Sequence, residues 1–108
     1  MKVLFTDQAF QALEEVKTFL IEQQKLTETK ATAIILDLVD KAEELKDFPD
    51  RGQIEEYLEY LQLNHRRIVV KHTKIIYRVV AKTVYITDFF DTRQSPKSLA
   101  KRVKRKKK

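Results

Sequence analysis

The sequence contains no cysteine and no long apolar segment. The first absence excludes a disulfide framework and a thiolate metal site, and it fits a protein of the reducing cytoplasm. The second excludes a membrane-spanning helix, which needs about 18 or more apolar residues. The apolar run at the start of MKVLFTDQ ends at Asp7 and Gln8 and is too short for the core of a signal peptide. The sequence therefore predicts a soluble, cytoplasmic protein that makes no contact with the membrane.

Glycine and proline are also scarce, with one glycine and two prolines in the chain. Pro49 predicts the end of a helix just before it, because the residue preceding a proline is disfavoured in helical geometry. Gly52 predicts a turn, and Pro96 predicts the end of the last strand, since proline cannot donate to a strand ladder. The connections at residues 71–73 and 81–82 are short enough only for tight hairpins, yet they contain neither glycine nor asparagine.

Charge is distributed unevenly along the chain, whose net charge is +6. Residues 1–64 hold 7 Lys or Arg against 14 Asp or Glu, a net charge of −7. Residues 65–96 hold 7 against 2, or +5, and residues 97–108 hold 8 against none, or +8. This asymmetry predicts an acidic helical half and a basic half that binds nucleic acid or an acidic protein segment. We interpret residues 1–96 as one domain followed by a basic, flexible tail, which is either a solvated terminus or a phosphate-binding arm.

Two segments with apolar residues at helical spacing predict a pair of helices. The first follows an N-cap at Thr6 or Asp7 and has the apolar stripe Phe10, Leu13, Val16, Leu20 and Ile21. The second follows an N-cap at Thr27, ends near Phe48, and has the stripe Ala31, Ile34, Ile35, Leu38, Ala42 and Leu45. The short polar link at residues 23–26 predicts an antiparallel helix hairpin. A shorter helix is predicted after Gly52 from the spacing of Ile54, Tyr57, Leu58 and Leu61.

The period of the apolar residues changes to two after His65, which predicts β-strands. The segments RRIVV, KIIYRVV and TVYITDFF indicate three antiparallel strands, and the run from Lys2 to Phe5 indicates a short N-terminal strand. Pairing through a two-residue turn at 81–82 gives one apolar face, made of Ile68, Val70, Ile75, Tyr77, Val79, Val84 and Ile86. The predicted fold is α+β: an N-terminal strand and an antiparallel helix hairpin packed on one face of a small antiparallel β-sheet.

The opposite face of the predicted sheet combines basic and aromatic side chains. It carries Arg67, Val69, Lys71, Lys74, Ile76, Arg78, Tyr85, Thr87 and Phe89. Cations neutralise phosphate charge and aromatic rings stack on bases, so this face is a candidate nucleic-acid surface. It would also suit an acidic amphipathic segment of a partner, or it is an ordinary solvated face. Arg93, in FFDTRQSP, is either an anion contact at the edge of this face, oriented by Asp91 or Asp88, or a turn residue paired locally with Asp91.

The order of strand, helix hairpin and antiparallel sheet, together with three motifs, resembles the RelE/ParE family of bacterial type II toxins. The motifs are FPDRGQIEEYL, RRIVVKHTKIIYRVV and TVYITDFFDTRQSP, and the resemblance covers nearly the whole domain. It implies a small cytoplasmic toxin of a plasmid stabilization system that inhibits growth. A cognate antitoxin would hold the toxin inactive by wrapping a helical C-terminal segment around it. Members of the family act in one of two ways: RelE-like toxins cut messenger RNA in the ribosome, and ParE-like toxins poison DNA gyrase.

The resemblance also implies residues for the RelE-like activity. Arg93 falls where such a nuclease has an arginine after the last strand, and Lys74 falls where another arginine is usual. Arg66 or Arg67 falls near the basic residues of the preceding strand. Two departures leave this set incomplete, because lysine supplies a point charge rather than a two-pronged guanidinium and Leu99 replaces the family's tyrosine.

We therefore favour a ParE-like toxin that arrests growth by binding DNA gyrase. One alternative is a ribosome-dependent mRNA endoribonuclease with Arg93, Lys74 and Arg67 as catalytic residues, and the other is a non-toxic nucleic-acid-binding module. The residues predicted to contact the target or nucleic acid are Arg67, Lys71, Lys74, Arg78, Tyr85, Phe89 and Arg93. His65 and His72 are candidate acid–base groups, with His72 in a predicted exposed turn, but they lack accompanying ligands. No metal or organic cofactor is predicted.

Overall fold

The computed structural model describes residues 1–93 of the chain. In chain order its elements are β1 (Lys2–Phe5), α1 (Asp7–Glu22), α2 (Glu28–Glu43), a 3₁₀ turn (Glu44–Lys46), β2 (Gln53–Ile54), a 3₁₀ helix (Glu56–Leu61), β3 (Arg66–Val70), β4 (Thr73–Val80) and β5 (Thr83–Asp91). The five strands form one sheet in the order β1-β5-β4-β3-β2. β1 is parallel to β5, whereas every other neighbouring pair is antiparallel. The predicted α+β fold is confirmed, with the correction that the sheet is mixed and has an additional short strand, β2.

Both long helices begin at threonine caps: Thr6, one of the two residues predicted for the first helix, and Thr27, as predicted for the second. The Oγ1 atom of Thr6 accepts a hydrogen bond from the backbone N–H of Ala9 at 3.1 Å. The Oγ1 atom of Thr27 accepts one from the backbone N–H of Lys30 at 3.2 Å. Each bond satisfies one of the amides that the first turn of a helix leaves without a partner. The helix starts were therefore predictable from residue type to within one residue.

The second helix ends earlier than Pro49 suggested. α2 ends at Glu43, and the 3₁₀ turn that follows ends at Lys46, so the predicted end near Phe48 was too late. A 3₁₀ turn is common at the end of an α-helix, where its tighter bonds satisfy the last carbonyls. Neither helix in residues 1–93 has the length and apolar character needed to cross a membrane.

The helices pack on one face of the sheet and form the main hydrophobic core there. The helices contribute Ala9, Ala12, Leu13, Val16, Leu20, Ala31, Leu38 and Ala42, and the strands contribute Ile68, Ile75, Tyr77, Val84, Ile86 and Phe89. The predicted core face is thus confirmed at Ile68, Ile75, Tyr77, Val84 and Ile86. Val70 is only partly buried, and Val79 is 39% exposed because it lies near the end of β4, next to the hairpin turn.

A β-bulge in β5 changes which side chains face the helices. Ile76 pairs with Asp88, but the next residue, Tyr77, pairs with Ile86, so Thr87 is an extra residue in β5. Beyond the bulge every side chain is on the face opposite to the one that simple alternation predicts.

Phe89 is the residue most affected by the bulge. It pairs with Ile75, is 0% exposed, and its ring centre lies 6.1 Å from that of Phe5 in the core. The prediction that Phe89 lies on the face opposite the helices was therefore wrong. Phe90 lies on that opposite face instead, in contact with Ile76 and Leu58.

The β4–β5 hairpin turns through Ala81 and Lys82, as predicted, and it pairs Val79 with Val84 and Arg78 with Tyr85. Both turn residues have positive φ angles, 49° and 64°. This left-handed backbone costs a residue with a Cβ atom about 1–2 kcal/mol. A turn of this kind matches the right-handed twist of the strands beside it. Strand pairing therefore outweighs the unfavourable turn residues.

The face of the sheet that points away from the helices, here called the outer face, is partly covered by residues 53–64. β2 pairs with β3, and the 3₁₀ helix places Leu58 and Leu61 against Ile76 and Phe90. The short helix predicted after Gly52 is confirmed, in 3₁₀ form, at Tyr57, Leu58 and Leu61, whereas Ile54 lies in β2. Its leucines form a second, smaller core on the outer face. The outer face is consequently not the open platform that the sequence suggested.

Candidate functional site

A charge cluster on the outer face is centred on Glu55, which was not among the predicted site residues. Glu55 lies between β2 and the 3₁₀ helix, and its side chain is 0% exposed. Its Oε1 atom accepts a hydrogen bond from Nζ of Lys74 at 2.8 Å and lies 3.9 Å from Nε of Arg67. Its Oε2 atom accepts a hydrogen bond from the backbone N–H of Tyr57 at 2.9 Å. One buried carboxylate therefore holds two of the predicted site cations.

Lys74 and Arg67 are themselves mostly buried, with side chains 15% and 18% exposed. The Nζ atom of Lys74 lies 5.2 Å from the centre of the Tyr57 ring, a cation–π distance. Arg67 donates a hydrogen bond to the backbone carbonyl of Ile54 and so connects β3 to β2. These cations stabilise the segment that covers the outer face, and Glu55 offsets one of their two charges.

Arg93 lies on the helix side of the sheet, near the C-terminal end of α1. Its guanidinium donates two hydrogen bonds to the Asp91 carboxylate, at 2.9 and 2.7 Å, and one to Oε1 of Gln24 at 2.7 Å. Its Cζ atom lies 5.5 Å from the centre of the Phe19 ring. This geometry corrects the prediction of an anion contact at the edge of the outer face. It matches the alternative of local pairing with Asp91, which the bulge has moved to the helix side.

The pairing with Arg93 keeps Asp91 ionised despite its burial. Burial by itself raises the pKa of this carboxyl group, but the hydrogen bonds from the side chain and backbone of Arg93 outweigh that effect and leave the pKa below its ordinary value. Arg93 is thus fixed to α1 and β5, whereas Lys74 and Arg67 are fixed to Glu55 on the other face. The structure does not bring together the three residues of the predicted nuclease set.

The other predicted contact residues lie in two separate places. Arg78 and Tyr85 pair across β4 and β5 on the outer face, and Nε of Arg78 donates a hydrogen bond to the backbone carbonyl of Leu63 at 2.9 Å. Lys71 is exposed in the turn between β3 and β4, with a φ angle of 57°. With Phe89 in the core, Arg78, Tyr85 and Lys71 make up the accessible part of the predicted surface.

His65 lies just before β3 and is 8% exposed. Its Nδ1 atom has no hydrogen-bond partner among residues 1–93. Burial lowers the pKa of the imidazole from 6.5 to about 4; the charge of Arg78 adds to this effect and that of Glu55 opposes it. His72, by contrast, is exposed in the β3–β4 turn. Within residues 1–93, no three His, Asp or Glu side chains are grouped so as to hold a metal ion.

The neutral state of His65 makes stability depend on pH. Since its folded pKa, about 4, lies below its ordinary value of 6.5, the unfolded chain binds this proton first as the pH falls. The free energy of unfolding should therefore decrease between these two pH values, by about 3 kcal/mol at most, because each pH unit between them contributes about 1.36 kcal/mol. Chemical unfolding at a series of pH values measures this slope.

Two single substitutions distinguish the contribution of His65 to the pH dependence of stability from that of the remaining titratable groups. His65→Gln should flatten the slope between the two pKa values, whereas His72→Gln, in the exposed turn, should leave it unchanged. An unchanged slope in His65→Gln would show that another group causes the pH dependence.

Comparison with known proteins adds two findings to this geometry. A family model described as the ParE toxin of the type II toxin-antitoxin system parDE matches residues 3–96. The fold is similar to that of a solved chain of the chromosomal ParDE toxin-antitoxin system from P. aeruginosa, with a TM-score of 0.68 and 16% sequence identity over 84% of this chain and 95% of that one. No curated protein matches the sequence. The resemblance noted in the motifs is confirmed, and the chain belongs to the ParE toxin family of type II toxin-antitoxin systems.

Proposed function

We propose that this ParE-family chain arrests growth by binding DNA gyrase rather than by cutting RNA. The observation that carries the proposal is the separation of the predicted nuclease residues. Lys74 hydrogen-bonds to Glu55 on the outer face, and Arg93 hydrogen-bonds to Asp91 and Gln24 on the helix side. Cleavage through a 2′-hydroxyl attack needs cations at the phosphate together with an acid–base group within hydrogen-bond reach. A binding function needs no such set.

The surface available for binding a protein target combines Arg78 and Tyr85 on the outer face with Lys71 in the neighbouring turn. Arginine and tyrosine are the residue types that most often dominate the energy of protein interfaces. The basic tail, residues 97–108, lies outside the described residues, and its contribution to target binding stays a prediction. We assign the target contact to Arg78 and Tyr85 first.

We also propose that a cognate antitoxin binds this chain and blocks its action, as part of a plasmid stabilization system. The solved relative is a member of a ParDE toxin-antitoxin system, which supports a partner of the same class here. The proposed gyrase target places the protein in the cytoplasm. No cofactor takes part in the proposed mechanism.

Controlled expression in a bacterium, with and without the neighbouring small gene, tests this proposal. We expect growth arrest with DNA damage while protein synthesis continues, and we expect co-expression of the antitoxin to restore growth. Early loss of translation with cut messages would instead support the ribonuclease, and Arg93→Ala should then abolish cleavage. Absence of arrest would support the non-toxic nucleic-acid-binding module, whose affinity should fall steeply with salt.

Inhibition of purified gyrase locates the contact surface. Arg78→Ala and Tyr85→Ala should each raise the concentration needed for half-inhibition by about tenfold. Truncating an important interface residue commonly costs about 1–2 kcal/mol of binding free energy, and about 1.4 kcal/mol corresponds to a tenfold change in affinity. Lys30→Ala removes an equivalent exposed cation from α2 and should leave inhibition unchanged. Equal effects of the three substitutions would contradict the assignment.

A further inference from the structure

A cavity of about 220 Å³ lies on the outer side of the sheet, beside the β5 bulge. It forms because β5 continues past the last residue of β1, so the first turn of α1 meets β5 directly there. Three leucines, Leu58, Leu61 and Leu63, form its apolar wall, and its polar lining includes Gln8, His65 and Asp88. The cavity is distinct from the Glu55 cluster and from Arg93.

The bulge supplies the acidic group of this cavity. Inserting Thr87 into β5 turns Asp88 to the outer face opposite Ile76, where it is 1% exposed. The Oδ1 atom of Asp88 accepts a hydrogen bond from the backbone N–H of Phe89 at 2.8 Å, and its Oδ2 atom accepts one from Nε2 of Gln8 at 3.2 Å. The bond from the Gln8 side chain, at the upper end of the ordinary range, is the one that a ligand N–H group would replace.

A second, independent observation at this cavity is an unpaired polar atom of His65. Its buried Nδ1 atom has no hydrogen-bond partner among the described residues, and an unsatisfied buried nitrogen is destabilising. The ring is neutral near pH 7, because its pKa is lowered to about 4, so one nitrogen donates and the other accepts.

The lining restricts the chemistry of the ligand. Asp88 is the charged residue of the lining, which disfavours a free anion and favours a group with several N–H donors. The leucine wall suits a flat, apolar ring. The volume is below the roughly 300–1,000 Å³ of pockets for drug-sized ligands, so a single ring system fits best. A nucleobase whose edge carries a ring N–H beside an exocyclic amine, as in guanine, meets all of these conditions.

We propose that the cavity binds a guanine base, with Asp88 accepting hydrogen bonds from its N–H edge. Arg78 lies next to the cavity, because it donates a hydrogen bond to the carbonyl of Leu63 in the cavity wall. It is therefore placed to contact the phosphate attached to the base. This inference goes beyond gyrase binding and does not depend on it. The base has two possible sources, a free nucleotide or a single-stranded nucleic acid.

Titration of the full chain with GMP, AMP, CMP and UMP tests the proposal, with the imidazole NMR signals of His65 as the readout. GMP should shift these signals, and its affinity should exceed that of each other nucleotide by about tenfold or more, the discrimination expected of a two-bond contact to a base edge. Equal affinities for all four nucleotides, or no shift with millimolar GMP, would overturn the proposal.

Amino-acid substitutions show whether a loss of GMP binding results from a change in the cavity or from unfolding of the chain. Asp88→Asn should weaken GMP binding by about tenfold or more, whereas Asp40→Asn on the exposed face of α2 should not change it. Because Asp88 is buried, Leu63→Trp serves as a second variant: it fills the cavity from its exposed rim and should abolish binding while the chain stays folded. Retained GMP binding in both folded variants would overturn the proposal.

Two further binding measurements show whether the base comes from a free nucleotide or from a single-stranded nucleic acid. Arg78→Ala should weaken binding of GMP but not of guanosine, because guanosine lacks the phosphate. A single-stranded oligonucleotide with one guanine among uracils should bind at least about tenfold more tightly than GMP if nucleic acid is the source, since further phosphates add electrostatic affinity. Equal affinities would assign the site to the free nucleotide.

Discussion

Replacing Glu55 by alanine is expected to lower the free energy of unfolding by about 3–5 kcal/mol. The substitution removes the buried carboxylate that Lys74 and Arg67 share, and both cations then remain in a poorly solvated region without it. It also removes the acceptor for the backbone N–H of Tyr57 at the start of the 3₁₀ helix. Urea unfolding followed by circular dichroism measures the loss.

Glu56 supplies a matched control for this substitution. Its side chain is 76% exposed and lies 4.0 Å from Nη2 of Arg67, so Glu56→Ala should change stability by less than about 0.5 kcal/mol. The double substitution Glu55→Leu with Lys74→Met should lose less stability than Glu55→Ala, because it removes one buried charge together with its partner. Similar losses at Glu55 and Glu56 would contradict the central role of the buried carboxylate.

Gly52→Ala is expected to cost about 3 kcal/mol, at the upper end of the usual range for added volume in a packed site. A Cβ atom at this position would lie 2.6 Å from the backbone oxygen of Arg67 and 2.6 Å from the hydroxyl oxygen of Tyr77. Neither atom can move freely. The first belongs to β3, and the Tyr77 hydroxyl accepts a hydrogen bond from the Gly52 N–H and donates one to the carbonyl of Pro49, both at 2.8 Å.

Two comparisons test the steric explanation for Gly52. Gln53→Ala, at the next position, is exposed and should cost less than about 0.5 kcal/mol. Tyr77→Phe removes the hydroxyl that the new methyl group would meet, so Gly52→Ala should cost less in the Tyr77→Phe background than in the natural chain. Thermal unfolding of the natural chain, Gly52→Ala, Tyr77→Phe and the double variant gives this coupling energy. Strictly additive losses of stability would rule out a clash with the hydroxyl.

The helical part of the fold was the most predictable from the sequence. Helix starts depend on local chemistry, and Thr6 and Thr27 each provide the oxygen that the first turn requires. The pairing of Arg78 with Tyr85 was also predictable, because a two-residue turn fixes the register of a hairpin.

The errors arose where distant segments determine the structure. Nothing in TVYITDFF marks Thr87 as an extra residue, so alternation placed Phe89 on the wrong face. The neighbours Glu55 and Glu56 are equivalent in the sequence, and packing of the 3₁₀ helix on β4 decides which of them is buried. The candidate site differs from the prediction for the same reason, because Arg67, Lys74 and Arg78 bind groups of residues 53–64 that the sequence did not place near them.

The parallel pairing of β1 with β5 bears on how the protein is made. β5 lies between β1 and β4 in the sheet, yet within residues 1–93 it is the last strand to be synthesised. Lys2 pairs with Thr83, so β1 cannot pair with β5 until nearly the whole domain has left the ribosome. A nascent or prematurely ended chain lacking β5 has neither a complete sheet nor the core beneath α1. Such a fragment should therefore fail to reach the native fold.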